Sequence, residues 1–374
     1  MPGQRERVLL VGPLRGATGG VAMFTETLLA SRLGGRFEFV HLDTTRTAAG
    51  SGRAATLAPI NFLYFVRQWL ELARLLARHR PRILHQPVTS GISFWKEAAF
   101  MACGRLAGAR VVAHLHGARF QDFHGGGGSV RRWLVRRALR CARVVIVLSD
   151  GWRRYLLERV DGRLRAEIVA NPVARDFVAW ASGVERDPGR APATVLFVGR
   201  LARIKGLVTA LQAVPLVQRR APGTRFVFAG GPASAAENAE VERARASLPA
   251  DGTVLFPGLI GGPDKRSWFQ GADVLILPST HENLPIVILE GLAAGLPLVV
   301  TPVGALPEFL VEGEHALFVP PGDAGALAGR VADLIADPSL RRRMGEANRA
   351  LFRERFDPDR ILERIEQIYR EALS

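Results

Sequence analysis

Short apolar runs rich in valine, leucine and isoleucine alternate along this chain with longer stretches in which apolar positions recur every three or four residues. The first pattern predicts buried strands and the second predicts helices packed on them; their alternation predicts parallel sheets wrapped by helices, an α/β class. In the first half the strands fall at Val8–Val11, Phe37–Leu42, Arg82–Leu84, Arg110–Leu115 and Val144–Leu148. Ala181–Pro192 then carries no strong pattern, contains proline and glycine, and reads as a linker. Beyond it the rhythm restarts, with strands Thr194–Phe197, Arg225–Ala229, Val254–Phe256, Val274–Leu277 and Leu298–Thr301. Helices are expected at Gly206–Gln218, Ala236–Ala246, Asp264–Phe269 and finally Pro358–Ala372. The expected organisation is two Rossmann-like, doubly wound domains at 1–176 and 193–356, a linker at 177–192 and a C-terminal helix at 357–374. Ligands of open parallel sheets bind at the carboxyl ends of the strands. Two such edges facing each other would enclose a central cleft, the expected site.

One stretch breaks the pattern in an informative way. Pro278–Gly304 holds Glu282 and Glu290 with seven residues between them, and Leu284 and Pro285 look like a helix opening. Glu290 lies among Ile286, Val287, Ile288, Leu289, Leu292 and Ala293, so that helix should be buried. An unpaired buried carboxylate costs several kcal/mol or gives up its charge. No lysine or arginine lies within two turns, so an opening where a polyol supplies hydroxyl donors is expected, with Glu282 facing it. The amides around Asn283 and Leu284, at a helix start, suit a phosphate. The bland alternative makes Glu282 a solvated loop charge and Glu290 a core residue bonded to a backbone amide.

Charge refines the picture. Residues 1–175 carry 28 Lys and Arg against 11 Asp and Glu, whereas residues 176–374 carry 22 against 24. A basic half suits an anionic membrane surface or a phosphate-bearing acceptor. Nucleic acid is not expected, because no recognised motif accompanies the charge. Two segments suit a lipid surface: residues 131–140, with Trp133 and Leu134 among arginines, and Asn61–His79. Both also read as core-packing helices with snorkelling arginines. Cys103 and Cys141 stand far apart with no histidine at ligand spacing, which indicates neither zinc nor a disulfide framework. Val8–Val11 is too short for a signal-peptide core and Ala54–Val66 too short to span a bilayer, so a cytoplasmic protein is expected, peripheral to the membrane at most.

Further polar residues sit where strands end. Gly199-Arg200-Leu201-Ala202-Arg203-Ile204-Lys205-Gly206 follows a strand and precedes a helix, and two cations there suit a diphosphate. Arg203 is expected to face solvent. His114 and His116 close another strand and point to one side if it persists. No Asp, Glu or Cys completes a ligand set, so no metal is expected. His41, His79, His85 and His315 read as satisfied core residues. A glycine-rich loop, Gly16–Gly20, follows the first strand without the dinucleotide G-x-G-x-x-G spacing.

Taken together, these motifs resemble the retaining family 4 glycosyltransferases of the GT-B fold, in order from Gly19 to Glu308. The resemblance implies that Glu290 holds the donor ribose, Glu282 the sugar hydroxyls, and Arg200 with Lys205 the diphosphate in place of a metal. It also implies that His116 reaches the transferred sugar, and that Gly19 and Gly20 approach the donor phosphates. By the same resemblance, Ser279, Asn283 and Leu284 are expected in the donor pocket, and the Phe256–Ile260 loop, with Leu259, is expected to hold the base. Two departures stand out: the Arg200–Lys205 loop has one residue fewer than the family's G-R-x5-K-G, and Gly230-Gly231-Pro232 lacks the acidic residue of the family's turn. The implied activity is metal-independent, retaining transfer of a hexose from a UDP- or GDP-linked sugar to an acceptor hydroxyl, with no cofactor. In the implied mechanism a leaving-group oxygen helps deprotonate the acceptor on the same face. The acceptor is expected to be lipid-linked or a growing surface polysaccharide. The alternatives are a sugar-nucleotide epimerase of the same fold and a non-catalytic sugar-nucleotide-binding scaffold.

Overall fold

A computed structural model describes residues 5–14, 19–45, 59–187, 189, 191–231, 235–246, 248 and 251–374. Gly16, Pro232 and the part of the apolar run from residue 54 to 58 lie outside the described residues. The chain forms two compact units, residues 1–172 with 358–374, and residues 173–357.

In unit 1 the elements run β1 (Glu6–Gly12), α1 (Gly20–Leu29), β2 (Phe37–Asp43), α2 (Pro59–His79), β3 (Ile83–Val88), α3 (Ile92–Leu106), β4 (Arg110–Leu115), α4 (Phe120–Gly125), α5 (Ser129–Leu139), β5 (Val144–Val147), α6 (Asp150–Tyr155) and β6 (Ala166–Ile168). The strands pair in parallel in the order β2-β1-β3-β4-β5-β6. Because side chains alternate along a strand, the sheet has two apolar faces. Leu9, Leu84, Val111 and Val145 pack towards Leu72, Phe100 and Val135, from α2, α3 and α5. Val8, Leu10, Ile83, Val112 and Ile146 form the other core with Phe24 of α1.

Unit 2 contains α7 (Arg175–Ser182), β7 (Thr194–Val198), α8 (Leu207–Arg220), β8 (Arg225–Ala229), α9 (Ala235–Ala246), β9 (Val254–Gly258), α10 (Gly262–Gly271), β10 (Val274–Leu277), α11 (Ile286–Ala293), β11 (Leu298–Val300), α12 (Leu306–Phe309), β12 (Ala316–Phe318), α13 (Ala324–Ala336) and α14 (Pro338–Arg355). Its sheet is also parallel, in the order β12-β11-β10-β7-β8-β9. The last helix, α15 (Pro358–Leu373), belongs to unit 1, where Ile361, Ile365, Ile368 and Tyr369 enter the core beside Phe24 and Phe37.

Two strands escape the hydrophobic pattern. β6 and β12 are three-residue strands at sheet edges, too short and too exposed in β6 to show a buried run. The expected linker also differs from what forms. Residues 175–182 make α7, whose Phe177 packs edge-on against Phe269. Arg186 then donates to the carbonyls of Phe269, Ala272 and Ala294, at the C-terminal ends of α10 and α11. A cation there answers the unpaired carbonyls and the negative end of the dipole. Beyond α7 the segment carries little apolar pattern because polar contacts hold it: Arg186 reaches three carbonyls, and Arg349 donates to the Val184 carbonyl.

Candidate functional site

Most of the polar residues singled out above in the second half lie at the carboxyl ends of the strands of unit 2. The turns after β7, β8 and β9 are tied together: Gly199 N–H donates to the Ala229 carbonyl, Leu201 N–H to Gly231, and Gly230 N–H to Gly258. Arg200 sits exposed on the first of these turns, and Leu259, 65% exposed, on the third. Arg203 is exposed, as expected.

The loop that carries Lys205 is pressed against the loop after β10. Thr280 N–H donates to the Ile204 carbonyl at 2.9 Å. Gly206 has φ +75°, and a Cβ there would lie 1.9 Å from the Pro278 carbonyl oxygen, so only glycine permits this approach. The result is a bidentate contact in which Lys205 Nζ donates to Glu282 Oε1 at 2.6 Å and Oε2 at 2.8 Å. The Ser279 hydroxyl also donates to Oε1, at 2.7 Å. Glu282 is 6% exposed, so it is a paired, buried charge and not a solvated one. Behind it, Thr301 donates its hydroxyl to the Ser279 carbonyl, and Ala305 N–H donates to Asn283. Gly304, at φ +62°, allows that packing, since a Cβ would lie 2.3 Å from the Glu282 carbonyl. Ser279, Asn283 and Leu284 are all buried in this loop.

Glu290 is buried on α11, as its apolar neighbours require, but its expected partner needs correction. Lys265 of α10 donates to Oε1 at 2.5 Å, and the side chains are 13% and 3% exposed. The charge is thus answered from within the protein, by a residue 25 positions away that no helical-turn count reaches. Oε2 remains buried without a hydrogen-bond partner. Burial pushes the Glu290 carboxyl above its ordinary range; the Lys265 ammonium opposes this and the charge of Asp176 adds to it. A compositional signal could have found Lys265. Only three of the 50 basic residues are lysines, at 96, 205 and 265, and two of these take the two glutamates of the motif.

In unit 1, Gly19 precedes α1 with φ +136° and Gly20 opens it; both are exposed. His114 and His116 do lie together, with ring centroids 4.2 Å apart, and both pack on Phe24 at 4.7 Å. His85 extends the stack, 5.4 Å from His114, and its Nδ1 is 2.6 Å from the Tyr369 hydroxyl of α15. The reading of His85 as a satisfied core residue therefore holds for one nitrogen only. His85 Nε2, His116 Nε2 and both nitrogens of His114 are buried without partners. Burial pulls His85 and His116 down to about 3, from an ordinary 6.5, and His114 well below that value, so all three rings are neutral. Among the described residues no cluster of three or more His, Cys, Asp or Glu is arranged to hold a metal.

Residues 192–337 match the family described as Glycosyl transferases group 1, and residues 19–177 match Glycosyltransferase Family 4. The chain is 29% identical over 241 residues to a glycogen synthase of Mycobacterium tuberculosis, covering 64% of this chain and 56% of that protein. It thus spans little more than half the length of that relative. It is 30% identical over 271 residues to the alpha-maltose-1-phosphate synthase of Mycolicibacterium smegmatis, covering 66% and 68% of the two chains. Among solved structures, HepE of Anabaena in complex with UDP-glucose superposes with a TM-score of 0.74 at 17% identity, over 98% of this chain and 99% of that one. Two parallel six-stranded sheets with flanking helices, together with this likeness, make the fold GT-B.

Proposed function

Since the chain belongs to the family 4 glycosyltransferases, we propose that it moves a hexose from a nucleoside diphosphate sugar to an acceptor hydroxyl, with retention of configuration and without a metal ion. The observation that carries this reading is the pair of lysine–glutamate contacts built on the motif glutamates at the carboxyl edge of the unit 2 sheet. UDP-glucose is the ligand named for one structural neighbour, and UDP-glucose is the first donor to test.

In the proposed site Arg200 and Lys205 neutralise the diphosphate as it departs, a charge stabilisation that needs no metal. Lys205 is shared between Glu282 and the incoming phosphate, and the Ser279 hydroxyl keeps Glu282 in place while that cation is redirected. Glu282 accepts sugar hydroxyls, and Glu290 the ribose. The base lies along the β9 turn by Leu259, and the buried loop at Asn283 and Leu284 walls the pocket. Retention follows if a leaving-group oxygen takes the acceptor proton on the face it vacates. In unit 1, His116 and the Gly19–Gly20 loop keep the roles that the family resemblance implies.

The acceptor is proposed to be lipid-linked or a growing polysaccharide, reached from the inner face of a membrane. The support is the charge of the first half and the exposed apolar residues on its basic helices: Trp133 and Leu134 on α5, Trp69 and Leu70 on α2. Among the described residues no helix is long and apolar enough to cross a membrane. The deciding experiment is calorimetric titration with UDP, GDP and their common hexose conjugates, in the presence of a chelator. Binding of one nucleotide series is expected; binding of none, or binding that needs a divalent ion, refutes the reading.

A further inference from the structure

Of the two lysines that hold the motif glutamates, Lys205 has a place in the diphosphate loop and Lys265 has none. Three features of Lys265 stand out. Its ammonium donates to Glu290 Oε1 alone, leaving Oε2 buried with no partner. It is also fixed by aromatic faces, since Nζ lies 5.8 Å from the Phe177 ring centroid and 5.9 Å from that of Phe269. Finally, it is a lysine in a chain with only three of them among 50 basic residues. The choice has a physical consequence. A guanidinium fork matches a carboxylate bidentately and would occupy both oxygens; the Lys265 ammonium, placed to one side of Glu290, engages Oε1 and leaves Oε2 without a partner.

We infer that Lys265 is a positioning residue for the donor's ribose: it fixes Glu290 by one carboxylate oxygen and so keeps the other, Oε2, open to the ribose hydroxyls. This inference rests on the donor-site reading above. A hydroxyl that donates to a buried carboxylate oxygen satisfies the orphan acceptor, and a ligand lacking that hydroxyl leaves it unsatisfied. Sites built this way reject the deoxygenated analogue strongly. Lys265 touches no part of the donor in this scheme, and its effect passes entirely through Glu290.

The test compares binding of a nucleoside diphosphate, whichever of UDP or GDP the wild type prefers, with binding of its 2′,3′-dideoxy counterpart. The proteins are the wild type, Lys265→Met, Glu290→Gln and the double variant, which replaces the ion pair by a neutral one and keeps the fold testable. The wild type should prefer the ribonucleotide by about 30-fold, the size of a hydrogen bond to a charged group. Lys265→Met should reduce that preference to about threefold or less while leaving affinity for the dideoxy nucleotide within about twofold, because the phosphate contacts are untouched. The double variant should match Glu290→Gln. A purely structural lysine would instead weaken both nucleotides equally and leave the ratio intact; that result overturns the inference. A wild type that binds nucleotide without preferring the ribose form overturns it alone, and a wild type that binds no nucleotide overturns the donor reading with it.

Discussion

Acidification from pH 7.5 to 5.0 should cost unit 1 a large share of its stability through the His85, His114 and His116 stack. In the folded state burial holds His85 and His116 at about 3 and His114 well below its ordinary value; the charge of His116 further disfavours protonation of His85 and His114. In the unfolded chain all three titrate near 6.5. The unfolded state therefore binds protons that the folded state refuses. The contribution is fully present above pH 6.5 and is lost as pH falls towards 3. At pH 5.0 the loss from His85 and His116, both held at about 3, depends only on the unfolded value. Linkage then gives about 2 kcal/mol for each of these two rings and about 4 kcal/mol for the pair, with His114 adding in the same direction and a limiting slope of about 1.4 kcal/mol per pH unit for each ring. That is a large share of the stability of an ordinary domain. Because the chain has two units, a global unfolding curve mixes them. Amide hydrogen exchange of peptides covering 83–88 and 110–115 reads unit 1 directly. The comparison protein is His114→Phe, which keeps a ring against Phe24 and removes one titrating group. Its absolute stability is immaterial, since only the slope is compared, and other histidines with lowered values, such as His41 and His124, cancel in the difference. A slope below pH 6 that is shallower by about 1.4 kcal/mol per pH unit is expected. An unchanged slope would mean that His114 takes up its proton in the folded state and that the neutral stack is wrong.

Three further outcomes follow from particular contacts. Glu282→Gln should lower transfer by about 100-fold or more, the scale for losing one charged partner of a transition state, while nucleotide binding measured by calorimetry stays within a few-fold; transfer at the wild-type rate would remove Glu282 from the sugar site. Gly304→Ala forces a left-handed residue into a position where its Cβ meets the Glu282 carbonyl at 2.3 Å, so a loss of about 2 kcal/mol or more is expected, together with weakened donor binding. Normal donor affinity in a folded Gly304→Ala protein would show that the loop's position does not matter to the site. Sedimentation with vesicles containing an anionic lipid should show binding that falls with salt and is lost when Trp133 and Leu134 are replaced by serine; salt-independent binding, or none, would remove the membrane from the reading.

Much of this protein could be read from local pattern. Runs such as Val274–Leu277 and Val111–Ala113 are strands because a strand buried on both faces needs an unbroken apolar segment, and that requirement is written in consecutive residues. The burial of Glu290 followed in the same way from the apolar residues around it on one helix. Motif spacing located Glu282, Lys205 and Arg200 at strand ends, since those positions are set by the strands themselves. The short edge strands β6 and β12 were lost because an edge strand needs no buried run.

What only tertiary structure decided is who partners whom. Lys265 meets Glu290 across 25 residues, Tyr369 meets His85 across 284, and Arg186 closes the ends of two helices from a segment that has no pattern. Each of these contacts depends on how separate elements pack, not on any period within one of them. A charge or an imidazole announces by its neighbours that it will be buried. Which distant atom will answer it, or that one oxygen of Glu290 and both nitrogens of His114 go unanswered, is settled only when the sheets and helices come together.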